Sequence, residues 1–170
     1  MSEAFSVEVS VHCDGWLAAC PGAGGLAATA ARATLSHAAE PLASATLILG
    51  VILTDDAEQR RLNRAYRGRD AATNVLSFAL ADLAADRSSP VPSGMPVLLG
   101  DVVLALATVE REAEEQQKPL ADHLSHLVVH GVLHLLGFDH QAEAAAAAME
   151  AREVEILQVL GVPDPYRGIM

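Results

Sequence analysis

Residues 120–137 read LADHLSHLVVHGVLHLLG, and the physical demands of this stretch organise the rest of the chain. Leu124, Leu127, Val128, Val129, Val132, Leu133, Leu135 and Leu136 leave a helix apolar nearly all round, and such a helix is buried. Gly137 ends it. At about 100° per residue, His130 and His134 lie one turn apart on one stripe, and His126 and His123 extend that stripe toward the helix start. Unpaired polar groups inside a core cost a few kcal/mol each, so a row of imidazoles on a buried helix requires partners.

Gly137 lets the chain reverse, so His140 can swing back toward His130 and His134. The run HGVLHLLGFDH from His130 to His140 is then H-x3-H-x5-H with a Gly at the turn. Two ligands at i and i+4 with a third beyond a Gly turn is the facial arrangement of zinc hydrolases, which leave a fourth position for water. His130, His134 and His140 are therefore the expected metal ligands, with one Zn²⁺ per chain. The spacing matches the extended zincin motif, but Gly131 stands where those proteases carry the Glu that acts as base. The missing side chain is expected to leave room beside the metal for a phosphate group. His123 and His126 do not fit the ligand spacing and are expected to support the ligands, pack or face solvent. Asp139 either orients an imidazole or forms the turn.

Outward from this helix, residues 5–12 alternate apolar and polar, the pattern of a half-buried strand. Ala45–Leu53 is nearly continuous in apolar residues, a central strand, and Asn74–Phe78 and Leu98–Leu106 complete a set of about four. Helices are expected over Leu26–Ala39, from the cap at Thr54 or Asp55 to Tyr66, over Thr108–Gln117, over Leu120–Leu136 and over Ala142–Leu160. Residues 14–25 carry the Gly and Pro of a turn region, and residues 86–97, with three prolines and a glycine, form a loop of the kind found beside sites. The class is α+β: one domain over residues 1–170, a small mixed sheet of about four strands packed with about five helices, and the His-bearing helix at its centre.

The 170 residues carry a net charge of −11, which argues against non-specific coating of nucleic acid, because that requires many phosphates to be neutralised at once. Any such contact must be local. Five of the eleven basic residues fall between Arg60 and Arg69, and Arg60, Arg64 and Arg67 share a helix face by their i, i+4, i+7 spacing. A guanidinium holds two phosphate oxygens with parallel hydrogen bonds; the plainer alternative is a solvated face paired with Asp55, Asp56 and Glu58. Cys13 and Cys20 are too few for a disulfide framework or a cysteine zinc site. The start lacks the basic and apolar regions of a signal peptide, and Val97–Val109 is too short to span a bilayer. A cytoplasmic protein with no membrane partner is expected.

With these residues in view, the sequence resembles the bacterial endoribonuclease YbeY family of rRNA maturation factors. The resemblance rests on His130–His140, on Leu62–Gly68 (LNRAYRG), on Thr73–Phe78 (TNVLSF) and on Leu99–Val103 (LGDVV), in the family's order. It implies a metal-dependent endoribonuclease acting on single-stranded RNA in rRNA processing, including the 16S 3′ end, and in ribosome quality control. It also implies zinc on the three histidines and a functional Arg at Arg67. Arg67 and His130 are then the expected catalytic residues, with Arg60, Arg64 and Arg67 holding substrate and the ribosome or its proteins as partners. Asn74 and Ala79 stand where many members carry Asp and Pro. Two competing functions remain: a ribosome assembly factor with structural zinc, and a zinc peptidase, which Gly131 disfavours.

Overall fold

The computed structural model describes residues 5–38, 46–68, 73–80, 96–138 and 142–166. Among these residues four strands, β1 (Phe5–Val11), β2 (Thr46–Thr54), β3 (Val75–Ala79) and β4 (Pro96–Ala105), form one sheet in the order β1-β2-β4-β3. β1, β2 and β4 run parallel and β3 lies antiparallel at the edge. Six helices accompany them among the described residues: α1 (Gly15–Ala19), α2 (Ala23–Ala38), α3 (Asp56–Arg67), α4 (Leu106–Glu115), α5 (Leu120–Leu135) and α6 (Glu143–Val159). This is the expected α+β arrangement with one helix more.

The additional helix is α1, in the region expected to be a turn. It exists to bury Trp16, which is fully enclosed and donates its indole N–H to the Thr54 carbonyl at 2.8 Å. A buried Trp N–H needs such an acceptor. The following helix also starts earlier than expected, at Ala23, taking Gly24 and Gly25 into its first turns. Ala23, Ala27, Ala30 and Ala31 are all fully buried, so α2 presents a smooth face that packs closely on α5 and β1.

β2 is central in order, as expected, but its two faces differ. Leu47, Leu49, Val51 and Leu53 are buried, while Ile48 and Ile52 on the opposite face are only half-buried. The nearly continuous apolar run is thus fully covered on one face only. Over the covered face lies α5, which packs against α2, α4, α6, β3 and β4 and is the hub of the core. Its end is the expected one: Gly137, at φ 96°, follows the last turn, a left-handed conformation that glycine adopts without strain.

The helix α3 begins at Asp55, whose side chain accepts the Glu58 N–H at 2.8 Å, and stops at Gly68 with φ 69°. Asp56 in its first turn reaches α4, accepting from the Thr108 N–H at 3.1 Å and the Thr108 hydroxyl at 2.7 Å. A carboxylate so placed satisfies an otherwise orphaned N–H at the start of α4. Gln59, fully buried, donates to the carbonyls of Asn74 and Val103 and accepts the Thr73 N–H at 2.7 Å. These bonds tie α3 to the strand that borders the site.

Candidate metal centre

The α5 stripe carries its four histidines as the periodicity requires, and each has a named partner. His123 is buried, and its Nε2 lies 2.8 Å from Glu112 Oε1 on α4. Glu112 also accepts both contacts of the Asn74 amide, at 2.9 and 3.2 Å. An amide at position 74 donates to this carboxylate; an Asp there could do so only by carrying a proton. The departure noted at Asn74 therefore has a structural reason. Burial is the main influence that lowers the His123 pKa, and the Glu112 bond partly offsets it.

A second carboxylate, Glu153 on α6, is wholly buried beneath the other end of the stripe. Its Oε1 lies 2.5 Å from His130 Nδ1. Its Oε2 accepts the Tyr166 hydroxyl proton and lies 3.6 Å from His126 Nε2. The Tyr166 oxygen in turn stands 3.4 Å from His126 Nε2, so His126 and Tyr166 close one network around a single carboxylate. Burial pushes the Glu153 carboxyl up, but hydrogen bonds from His126, His130 and Tyr166 outweigh it and hold the pKa at about 2. Burial and the Glu153 bond both raise the Tyr166 hydroxyl, which keeps its proton.

An ionised carboxylate only accepts hydrogen bonds, so its contact with Nδ1 favours a His130 proton there, and Nε2 is the ring nitrogen turned outward. That Nε2 faces His134 Nε2 at 3.2 Å, with the ring centroids 4.7 Å apart. Two imidazole nitrogens directed at each other, one of them backed by a carboxylate on its far nitrogen, are donors that could hold a metal ion. The pair opens on a cleft of about 470 Å³ lined by Thr73, Asn74, Val75, Ser77, Ala79, His130 and His134. No carboxylate lines it among the described residues. The third expected ligand, His140, and the neighbouring Asp139 lie outside the described residues, and among those described no three such donors converge.

Gly131 has a different role from the one expected. A Cβ there would stand 2.6 Å from a Val102 methyl on β4 and 3.2 Å from Ser77 Oγ on β3. Its missing side chain therefore faces the sheet. The residue lets α5 settle onto β4 and β3, and Ser77 Oγ seals the contact by donating to the Gly131 carbonyl at 2.9 Å. The room expected for phosphate is thus taken up by Val102 and Ser77, and the cleft opens beside His130 and His134.

The arginine segment occupies α3 as expected. Arg60 and Arg64 are exposed on it and Arg67 is its last residue, with a side chain outside the described set, as is Arg69. Of the acids proposed as partners, Asp55 and Asp56 are engaged in capping, and Glu58 pairs with Arg61 at 3.3 Å and with His12 at 2.8 Å. The end of α3 is brought to β3 by Tyr66, whose ring meets Phe78 edge-on at 5.6 Å. Phe78 lies between Ser77 and Ala79, which line the cleft. The loop expected at 86–97 falls outside the described residues except at its last two positions, which begin β4.

Glu112, Glu153, Tyr166 and Ser77 escaped the sequence reasoning, though two of them left a signal. Glu153 falls on the buried stripe of α6 with Met149, Ile156 and Leu157, and Glu112 lies beside the buried Val109 and Ala113 of α4. A carboxylate at an apolar stripe position on a helix marks an acid turned toward the core, with a partner elsewhere.

The model of the family described as Endoribonuclease YbeY matches residues 26–161. The Endoribonuclease YbeY of Paramagnetospirillum magneticum is 47% identical over 166 residues, covering 98% of each chain. That of Magnetococcus marinus is 52% identical over 126 residues, 73% of this chain and 86% of the other. The solution structure of TM1509 from Thermotoga maritima shares the fold, with a TM-score of 0.53 at 20% identity over 92% of this chain and 91% of that one. The sequence relationships over most of the chain make this protein a member of the endoribonuclease YbeY family.

Proposed function

We propose that this protein is a zinc-dependent endoribonuclease that cuts single-stranded regions of rRNA, in maturation of the 16S 3′ end and in ribosome quality control. The observation that carries the reading is the pair of Nε2 atoms of His130 and His134, 3.2 Å apart at the cleft, with His130 anchored from behind by Glu153. These residues fit a zinc ion: both nitrogens are turned to one place, and a carboxylate stands behind one of them, as behind many ligand histidines. His130, His134 and His140 would hold it, and the ion would supply a Lewis acid that polarises a phosphoryl oxygen and acidifies water.

The chain's own residues do the rest. Ser77, Thr73 and Asn74 give the cleft a polar wall toward the sheet. Arg67 is assigned to the charge that builds on the phosphoryl oxygens, with Arg60 and Arg64 helping to hold the strand. Among the described cleft residues there is no carboxylate to repel an anionic backbone. There is also none to serve as base for amide hydrolysis, and Gly131 faces the sheet, which weighs against a peptidase. The RNA 2′-hydroxyl offers an internal nucleophile that a peptide lacks. Cytoplasmic location and contact with the ribosome belong to the same proposal; among the described residues no helix is long and apolar enough to cross a membrane.

The test is turnover of a structured rRNA fragment by the purified protein, with a fully paired duplex as control. Cleavage confined to unpaired segments, abolished by chelator, restored by zinc and lost in His134→Ala is expected. Stoichiometric binding to ribosomal particles with no turnover would favour the assembly factor instead.

A further inference from the structure

We propose that Glu153, braced by Tyr166 on the segment that follows α6, is a positioning residue that fixes the ring and tautomer of His130 for metal binding. The inference rests on the metal site proposed above and assigns a role to two residues outside the histidine motif. Glu153 lies twenty-three positions beyond His130, on a different helix, yet both its oxygens are spent on the α5 stripe and its arm. A wholly buried carboxylate with three polar partners is too demanding an element to be incidental, since an unpaired one would cost several kcal/mol.

The arm is built for its task. α6 ends at Val159, and the chain turns through Gly161 at φ 76° into Val162-Pro163-Asp164-Pro165-Tyr166. Two prolines fix φ along this stretch, and Asp164 accepts the Tyr166 N–H at 2.8 Å, a local turn that presents the ring. Tyr166 keeps 39% of its surface in solvent, but its hydroxyl reaches inward to Glu153 Oε2 and its ring packs edge-on against His126 at 5.6 Å. With Oε2 held by Tyr166, Oε1 has one direction left, toward His130 Nδ1. Glu153 then rules out the tautomer in which His130 would carry its proton on the nitrogen that faces His134. Such outer carboxylates orient ligand histidines and raise their basicity.

The experiment measures zinc affinity by competition with a chromophoric chelator for the full chain, Glu153→Gln and Tyr166→Phe, each checked for fold by circular dichroism. In parallel, long-range ¹⁵N–¹H NMR of the zinc-free proteins reports the tautomer of His130. Glu153→Gln is expected to weaken zinc binding about 10–100-fold and to populate the Nε2–H form, because an amide can donate to Nδ1 as well as accept from it. Tyr166→Phe, which removes only the hydroxyl, should fold normally and show a smaller shift in the same direction. Wild-type affinity and an unchanged tautomer in both variants would overturn the proposal. If the wild type binds no zinc, the metal reading fails, and the tautomer measurement still decides whether Glu153 positions His130. Should Glu153→Gln fail to fold, Tyr166→Phe decides alone.

Discussion

The close approach of α5 to the sheet gives a substitution in which two known effects oppose each other, Gly131→Ala. In a solvent-facing helix interior, replacing Gly by Ala stabilises by about 1 kcal/mol through backbone entropy. Here the new methyl would stand 2.6 Å from a Val102 methyl, against about 3.5–4.0 Å for a comfortable carbon contact. Roughly 1 Å must be found. Val102 cannot yield it readily: its side chain is β-branched and stiff, it is fully buried, and its strand is paired on both sides, to Val51 and to Ser77. The helix must lift instead, lengthening the Ser77–Gly131 hydrogen bond of 2.9 Å. Overpacking of this kind costs about 1–3 kcal/mol, so the net is a destabilisation of about 1 kcal/mol, or a Tm lower by about 2–4 °C for a chain of this size. Thermal and urea unfolding of the metal-free protein measure it, and trimming the obstacle with Val102→Ala should make the two changes less than additive. A Gly131→Ala protein as stable as wild type or more so would refute the close-contact reasoning.

Arg67→Ala is expected to lower the rate of RNA cleavage by about 10²–10³-fold with zinc content unchanged, and Arg67→Lys to recover only part of it; wild-type cleavage by the Ala variant would leave the residue as a surface charge. For the buried His123 the sign is fixed by its lowered pKa: the folded chain resists a proton that the unfolded chain accepts, so stability falls as pH drops below 6.5. Its Nδ1 has no hydrogen-bond partner among the described residues, so a second proton there would be buried unsatisfied. The metal-free wild type should therefore lose more stability than His123→Gln between about pH 7.5 and about pH 5.5, measured as the shift in urea midpoint; equal shifts would remove His123 from the explanation. The zinc-loaded enzyme should not hydrolyse casein under conditions where it cuts rRNA, and chelator-sensitive casein cleavage that vanishes in His134→Ala would put the peptidase first.

What was legible in the chain follows from the range of each signal. α5 could be read because sixteen residues of periodic apolar pattern end at a glycine that has to turn, and the four strands because their alternation or β-branched runs are local. α1 could not be read, since five residues are too few for a helical period and Trp16 declares its burial only through the distant Thr54 carbonyl. Gly24 and Gly25 point to a turn because glycine permits one, yet it does not compel one, and both lie in the first turns of α2. The histidine stripe was legible as a demand for partners, but the partners sit on α4 and α6, and only the fold brings Glu112 and Glu153 to it. At Gly131 the sequence shows which side chain is missing without showing where it would have pointed.

That direction bears on the chemistry. In a motif shared with zinc proteases, losing the Glu at the second position could mean a disabled peptidase or a site made for another substrate. Here position 131 is committed to seating α5 on Val102 and Ser77, so no carboxylate can stand there without displacing the helix that carries the histidines. The acids of this site lie instead behind the imidazoles, with Glu153 under His130 and His126, and Glu112 under His123. Negative charge behind His130 favours a cation at its outward nitrogen, while the described cleft in front holds none that would oppose an anion. A chain of net charge −11 repels RNA at long range, so binding has to come from short-range contacts, and the only dense run of arginines lies on the helix that Tyr66 and Gln59 fasten to the cleft strand. Acids behind the imidazoles, and none along the described cleft, suit a phosphodiester better than a peptide.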